Sequence, residues 1–352
     1  MTTATPTATP PPPPLGHAHH APPDHIRAFH KKLQRAGPDA WPEDIAVLDF
    51  DQYDASADDP LRRFPEYHRK RLKLEATLSR DHLDRVFSRF EAVAGGGVPL
   101  GAEDAGDVPV FTHDSVPGLQ ILPSLLPIRT QSSLLTTLLT VALDDTATHR
   151  NNLHAHYSIP SPCSFFSSPP DTILNPLDPT VHKPLTLSQA LTKKLRWVTL
   201  GGQYDWTLKR YPTTTPPSFP GDVADLVTGC FPAVTPQAAI VNLYSPGDTL
   251  APHRDISEAS TKGLVSVSVG CTGVFVIGCD GEEEVLGVKL RSGDAVVMGG
   301  ASRWAWHSVP KVLGGTCPAE LEAWAGGGGG SSQWEGWMKG KRINLNVRQM
   351  WD

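Results

Sequence analysis

The sequence predicts an α+β protein with a mainly β core, of sandwich or barrel type, and two observations carry that expectation. From Ala238 onward, short strand-like runs follow one another, separated by turn sequences. The segments with helical periodicity and dense charge lie toward the N-terminus. A chain of 352 residues is long enough for one large domain with appendages and a substantial core.

In chain order, residues 1–40 read as a Pro/His-rich disordered tail, with the strongest bias in residues 1–24. Pro10–Pro14 and the cluster His17, His19, His20 extend the backbone and build no core, and the clustered His read as a solvated tract. Residues 41–110 read as a charged helical extension closed by a Gly/Ala-rich linker at Glu91–Asp107. The main domain then spans residues 111–352. It opens with a strand at Gly118–Pro123 that leads into an amphipathic helix with a Ser near its start, Ser132. Pro-rich sequence from Ser158 to Pro184 gives way to Leu195–Trp206, where strand propensity on both sides of Gly201-Gly202 predicts a hairpin, within a lid of about residues 185–225.

The core, residues 238–352, reads as strands at Ala239–Tyr244, Leu264–Val269, Val274–Gly278, Val285–Leu290, Ala295–Met298, Trp304–Val309 and Arg342–Met350. The joints Ser245-Pro-Gly-Asp, Cys279-Asp-Gly and Arg291-Ser-Gly-Asp carry the turn chemistry between them. An insert at residues 314–340, with Gly326–Gly330, reads as a flexible loop.

A net charge of −6 excludes a protein coated in positive charge but permits a local basic groove. The cysteines Cys163, Cys230, Cys271, Cys279 and Cys317 form no C-x-x-C pair, which argues against zinc or disulfide frameworks and for a reducing compartment. No long apolar stretch or signal-peptide pattern is present, so the expectation is an intracellular protein without membrane contact, nuclear or cytoplasmic. The acid-free N-terminus leaves a mitochondrial location open. A monomer is expected.

His253-Arg-Asp255 puts two metal-ligand side chains at i and i+2, on one face of an extended strand, and His307 follows at the end of a later strand. Two His and one carboxylate make the facial triad that leaves open positions on Fe(II). The last strand alternates strictly: Arg342, Asn344, Asn346 and Arg348 share one face. An inward polar face of this kind demands a buried polar ligand, and Arg offers a fork suited to a carboxylate. The backbones of Arg342 and Arg348 stand roughly 20 Å apart at ~3.3 Å per residue, so they belong to opposite ends of a site. Asn242 and Tyr244, again at i and i+2, add hydrogen-bonding groups just upstream.

Asn242-Leu-Tyr244, Pro246-Gly247, His253-Arg-Asp255, Val265-Ser-Val-Ser, Ser292-Gly-Asp294, Gly299–Arg303, His307 and Arg342-Ile-Asn344 with Arg348-Gln resemble the AlkB-like dioxygenases over roughly residues 195–350. Leu195–Gly201 and His253–Glu258 look most like the eukaryotic homologue-1 branch, and Val47-Leu-Asp-Phe agrees with it. The resemblance implies a double-stranded β-helix (jelly roll) and catalytic iron, Fe(II), held by His253, Asp255 and His307. It implies 2-oxoglutarate held by Asn242, Tyr244, Arg342, Asn344 and Arg348, with Arg342 on the distal carboxylate. The implied reaction takes O2 and 2-oxoglutarate to succinate and carbon dioxide while an N-methyl group is hydroxylated and lost as formaldehyde, with methyladenine in tRNA, mRNA or DNA as the expected substrate.

By the same resemblance, substrate selection falls to the Trp197–Tyr211 hairpin. Trp197, Tyr204, Trp206 and Ser257 are the substrate-binding candidates, with Tyr211 and interleaved Lys193, Lys194, Arg196, Lys209 and Arg210 available to stack on a base and attract phosphates. Ser257 departs from the acidic residue of bacterial AlkB, and the Gly-rich insert is longer than a bacterial chain needs. A protein hydroxylase or demethylase, and a catalytically silent nucleic-acid-binding module, are the alternative functions.

Overall fold

The structure, a computed structural model, describes residues 20–37, 41–94, 106–159, 164–205, 207, 210–212, 214–324, 326 and 332–352. Two sheets form the core. The minor sheet holds β1 (Val47–Leu48), β10 (Leu250–His253), β12 (Gly273–Gly278), β13 (Leu286–Leu290) and β15 (Trp306–Val312), in the order β1-β13-β12-β15-β10. The major sheet holds β2 (Leu72–Leu78), β3 (Val108–His113), β4 (Leu119–Leu122), β8 (Trp197–Gly201), β9 (Ala238–Tyr244), β11 (Leu264–Gly270), β14 (Ala295–Met298) and β16 (Arg342–Arg348), in the order β2-β3-β4-β14-β11-β16-β9-β8. A small third sheet joins β5 (Tyr157–Ser158), β6 (Ile173–Pro176) and β7 (Leu185–Thr186).

Side-chain alternation decides what each face of the major sheet does. Ile343, Leu345 and Val347 of β16 join Val265, Val267 and Val269 of β11 in a core packed against the helices Arg80–Ala94, Ile128–Thr136 and Gly221–Cys230. The alternate residues of β16 face the minor sheet and line a cavity. Beside that cavity, Phe275, Ile277, Val288 and Leu290 meet Leu119, Ile121, Val296 and Met298 in a second core that seals one end of the sandwich. This is a sandwich, as the strand spacing predicts, in the jelly-roll form that the resemblance implies.

Several expectations need correction. The tail does not extend to residue 40: Asp24–Arg35 is a helix that buries Ile26, His30 and Leu33 against the outer face of the minor sheet, beside Val274 and Val276. Its apolar residues Ile26, Phe29 and Leu33, at i, i+3 and i+7, were masked by the flanking bias of composition. Residues 41–110 are not helical throughout, since β1 and β2 extend both sheets. The Gly-rich part of the linker, residues 95–105, lies outside the described residues. The helix Ile128–Thr136 starts after Pro127, not at Ser132, and Thr130 through Thr136 are all buried, so it is a core helix.

The hairpin about Gly201-Gly202 does not form. β8 pairs with β9 as the edge of the major sheet, and Gly201 turns the chain off that edge at φ +63°, where an added Cβ would stand 2.3 Å from Gln237 O. The strand signal was right and its partner was wrong. Nor is the insert only a loop: Trp324, Trp334 and Trp337 surround Phe166 with ring centroids 5.1, 5.5 and 5.0 Å away. Gly327–Gly330 lie outside the described residues.

Candidate metal and cosubstrate site

β10 and β15 are neighbours, and their register sets His253 opposite His307, ring centroids 4.3 Å apart. Asp255, two residues past His253, puts one carboxylate oxygen 3.9 Å from His253 Nε2 and the other 3.9 Å from His307 Nε2. The ligand atoms of the three all lie within 4.8 Å of one another. Each ring is aimed by the same device: Nδ1 donates to the carbonyl two residues upstream, Ala251 O at 3.0 Å for His253 and Ala305 O at 3.1 Å for His307. A carbonyl can only accept, so Nδ1 carries the proton and the Nε2 lone pair is left for a metal. The donor set fits Fe(II) in a facial triad.

Electrostatics prepare the same chemistry. Burial, reinforced by His253, pushes His307 down to about 4, keeping the imidazole neutral and able to donate its lone pair. Burial alone would raise the Asp255 carboxyl, but the Arg348 guanidinium, His307 and His253 outweigh it and hold the group well below the usual carboxylate range.

Arg348 is the hub of this end of the cavity. Its Nη2 donates to Asp255 Oδ2 at 2.6 Å, and its Nε lies 3.1 Å from Glu258 Oε1. Asn346 Nδ2 donates to the same Asp255 oxygen at 3.2 Å. Glu258 is bonded in turn by Arg303, 0% exposed, whose Nη2 lies 3.1 Å from Oε2 and whose Nη1 donates to Asp255 O at 2.6 Å. Arg348 thus fixes the metal carboxylate, a role beyond the cosubstrate contact expected of it. The sequence reading gave no role to Glu258 and Arg303. Their signal was present, an acidic residue three after Asp255 and a lone Arg before His307, but nothing in a linear pattern shows that they meet.

Arg342 at the far end of β16 differs. It is 2% exposed, Nη2 donates to Ser268 Oγ at 2.9 Å, and Nε and Nη1 have no hydrogen-bond partner among the described residues. The guanidinium carbon sits 5.4 Å from the centroid of the Tyr244 ring, whose hydroxyl burial pushes up to about 12. Space for the guanidinium comes from Gly273 of β12, where a Cβ would lie 2.4 Å from Arg342 Nε. A buried cation with two idle donors is costly unless an anion meets it, and a carboxylate of 2-oxoglutarate fits. Asn344 Nδ2 is committed to Ser266 Oγ at 2.7 Å and Val267 O at 3.1 Å, so it shapes this end of the wall.

The cavity between the sheets has a volume of about 390 Å³ and is lined by His253, Asp255, His307, Asn242, Tyr244, Arg342, Asn344 and Arg348 together. Tyr204, Tyr211 and Ser257 line it too. The two Tyr rings meet edge to face at 5.3 Å, and Ser257 Oγ donates to Tyr204 Oη at 3.4 Å. Tyr211, placed among the hairpin aromatics, hydrogen-bonds Glu258, and burial raises its hydroxyl far above its ordinary value. Trp197 is not part of the cavity wall, and Trp206 lies outside the described residues. No described helix is long and apolar enough to cross a membrane.

Two facing sheets around a His-Asp-His triad and a buried arginine define a class. The model of the 2OG-Fe(II) oxygenase superfamily matches residues 118–348, and the chain belongs to that superfamily: it is a dioxygenase dependent on Fe(II) and 2-oxoglutarate. Its relatives narrow this to the AlkB-like enzymes of the homologue-1 branch. The chain is 42% identical to an N6-methyladenosine RNA demethylase of Pyricularia oryzae, over 95% of this chain and 97% of that one. It is 51% identical to an N6-methyladenosine RNA demethylase of Cryphonectria parasitica, over 57% of this chain and 100% of the relative. To a tRNA demethylase of Schizosaccharomyces pombe it is 38% identical, over 68% of this chain and 82% of the relative.

Proposed function

We propose that this protein is an oxidative demethylase of N-methylated adenine, with N6-methyladenosine in RNA as its substrate. The observation that carries the reading is a single cavity in which the triad, an unsatisfied Arg342 and the Tyr204–Tyr211 pair meet. Similarity over nearly full length to RNA demethylases supports the choice of base and strand. Bound iron, with 2-oxoglutarate and O2, supplies the oxidising power, as cofactors do in such enzymes.

The chain's own residues do the rest. Arg342, held by Ser268 and with Tyr244 beside it, would take a carboxylate of 2-oxoglutarate on its free donors. Arg348 and Asn346 keep Asp255 ionised and fix its carboxylate beside His253 and His307, where the three would hold the metal. The Tyr pair lines the same cavity beside Ser257 and Glu258, where a flipped base would stack on a ring rather than on water. Loss of the oxidised methyl group as formaldehyde restores the base.

The test is anaerobic reconstitution with Fe(II), then assay of succinate and formaldehyde on RNA and DNA oligonucleotides carrying N6-methyladenine or other N-methyl bases. Formaldehyde from N6-methyladenosine RNA, in excess over all other substrates, is expected. Succinate with no formaldehyde from any nucleic acid would overturn the demethylase and leave a dioxygenase acting on another substrate.

A further inference from the structure

The backbone ladder holds the strand ends that carry the triad unequally. β10 is an edge strand of the minor sheet, and its pairing with β15, Leu250 with Val309 and His253 with His307, is interrupted by an irregularity between the two positions. β10 ends at His253, so Arg254 and Asp255 lie beyond it. Inside the cavity Arg348 and Asn346 hold the Asp255 carboxylate. His253 is half-buried where His307 is buried, and its ring is bonded to a carbonyl of its own strand.

The outer face of the same sheet supplies what the ladder does not. Alternation along β15 turns His307 into the cavity and its neighbours Trp306 and Ser308 outward, opposite Gly278 and Val276 of β12. Ser308 Oγ shares a hydrogen bond at 3.0 Å with His30 Nδ1, on the helix Asp24–Arg35 that covers this face. Trp306 Nε1 donates to Asp280 Oδ1 at 2.7 Å. Arg254, between His253 and Asp255, sets its guanidinium carbon 4.5 Å from the centroid of a Trp306 ring and donates from Nη1 to Asp280 Oδ2 at 2.5 Å. One carboxylate thus gives one oxygen to the residue before His307 and the other to the residue between the remaining two ligands. Asp280 reaches both from a turn after β12, closed by Glu282 N on Cys279 O, in which Gly281 takes the left-handed φ of +82°.

We propose, taking the triad as the metal site, that Asp280 is a positioning residue for it: from outside the cavity it clamps together the two strand ends that carry His253, Asp255 and His307. The Asp280 side chain is 55% exposed, and an exposed carboxylate ordinarily gains little from an ion pair. Here it is the acceptor for two donors that are themselves buried, the Arg254 side chain at 4% exposure and the Trp306 indole, so its loss takes an acceptor from both at once. Arg254 and Trp306 each adjoin a ligand along the backbone, and slack between them becomes slack between His253 and His307. Groups behind metal ligands set ligand orientation, and affinity follows orientation.

The experiment titrates the full metal-free chain with Co(II), whose visible absorption bands report ligand geometry. The spectrum of the site is the difference from His253→Ala, which cancels any signal from His17, His19 and His20. Asp280→Ala is expected to weaken Co(II) binding at this site about tenfold and to shift the bands. Asp280→Asn, which keeps an acceptor for the Trp306 indole and loses the charge facing Arg254, should fall between Asp280→Ala and the wild type. Asp44→Ala, which breaks an ion pair with Lys32 on the covering helix, is the control and should match the wild type in both readouts. Lower thermal stability in Asp280→Ala with Co(II) affinity and bands unchanged would make the clamp a structural contact alone and overturn the proposal. A wild-type spectrum identical to that of His253→Ala would refute the triad as the metal site and the clamp with it, a failure that shows before any Asp280 variant is compared.

Discussion

The two ends of β16 carry the same residue in opposite circumstances. Arg348 meets two carboxylates of the chain: Nη2 donates to Asp255, Nη1 to Asn346 O, and Nε, though it makes no hydrogen bond, lies within ion-pair distance of Glu258, which Arg303 holds in turn. Arg342, equally buried on the same face six residues earlier, uses one nitrogen on Ser268 and leaves Nε and Nη1 idle. A buried cation whose partners are built into the chain has a structural task, here holding a metal ligand in place. A buried cation without them has been placed for something that arrives from outside. The sequence motif alone, Arg at both ends of an alternating strand, cannot distinguish the two.

The comparison can be broken or sharpened by substitution. The largest effect is expected at the ligand itself: His253→Ala should abolish iron retention and turnover, measured by metal content and succinate release. Next is Arg348→Ala, which removes the guanidinium from Asp255 and leaves Glu258 with Arg303 alone as its cation; removing one partner of a buried ion-pair network costs about 3–5 kcal/mol, read as a lower midpoint in chemical denaturation. A loss below ~1 kcal/mol would mean that the network is not what secures this end.

A buried basic pair without carboxylates offers a contrast with both arginines. His68 Nδ1 lies 3.2 Å from His113 Nε2, and His113 Nδ1 bonds Ser115 Oγ at 2.7 Å, where β2 and β3 meet the helical turn Glu66–Arg69. Burial, then His68, pushes His113 down to about 4. Since the folded chain holds the neutral form, stability is complete above the unfolded value of ~6.5 and falls as pH drops toward 4, by up to about 3 kcal/mol. Denaturation midpoints across that window test this, and His113→Gln should flatten the dependence.

Smaller effects belong to the Arg342 end. Gly273→Ala sets a methyl group against the guanidinium and should raise KM for 2-oxoglutarate about tenfold, ~1.4 kcal/mol, with metal content unchanged. Arg342→Ala should shift apo stability by less than ~1 kcal/mol, because among the described residues no carboxylate pairs with it. A large destabilisation would erase the distinction between the two ends.

Most strands and all three triad residues were legible because they depend on local rules: a period of two, turn residues between strands, and ligand spacing on one face. What the sequence concealed depends on partners distant in the chain. β8 carried clear strand propensity, yet only the fold shows that it pairs with β9 across the intervening helix Gly221–Cys230. Ile26, His30 and Leu33 have helical spacing, but a Pro/His-rich neighbourhood hid it. Gly273 drew no notice in the sequence, since the side chain that fills the space over its Cα is 69 positions away. Glu258 and Arg303 form a buried pair that no local pattern announces.

The most direct test of the account is the affinity of 2-oxoglutarate for the chain loaded with redox-silent Mn(II), measured by titration calorimetry in the wild type and in Arg342→Ala. The account predicts a loss of about 10–100-fold, the worth of a charge-assisted carboxylate contact of ~1.5–3 kcal/mol, with the metal still bound. Unchanged affinity in Arg342→Ala would contradict it, because the idle guanidinium at the end of β16 would then not be the cosubstrate anchor.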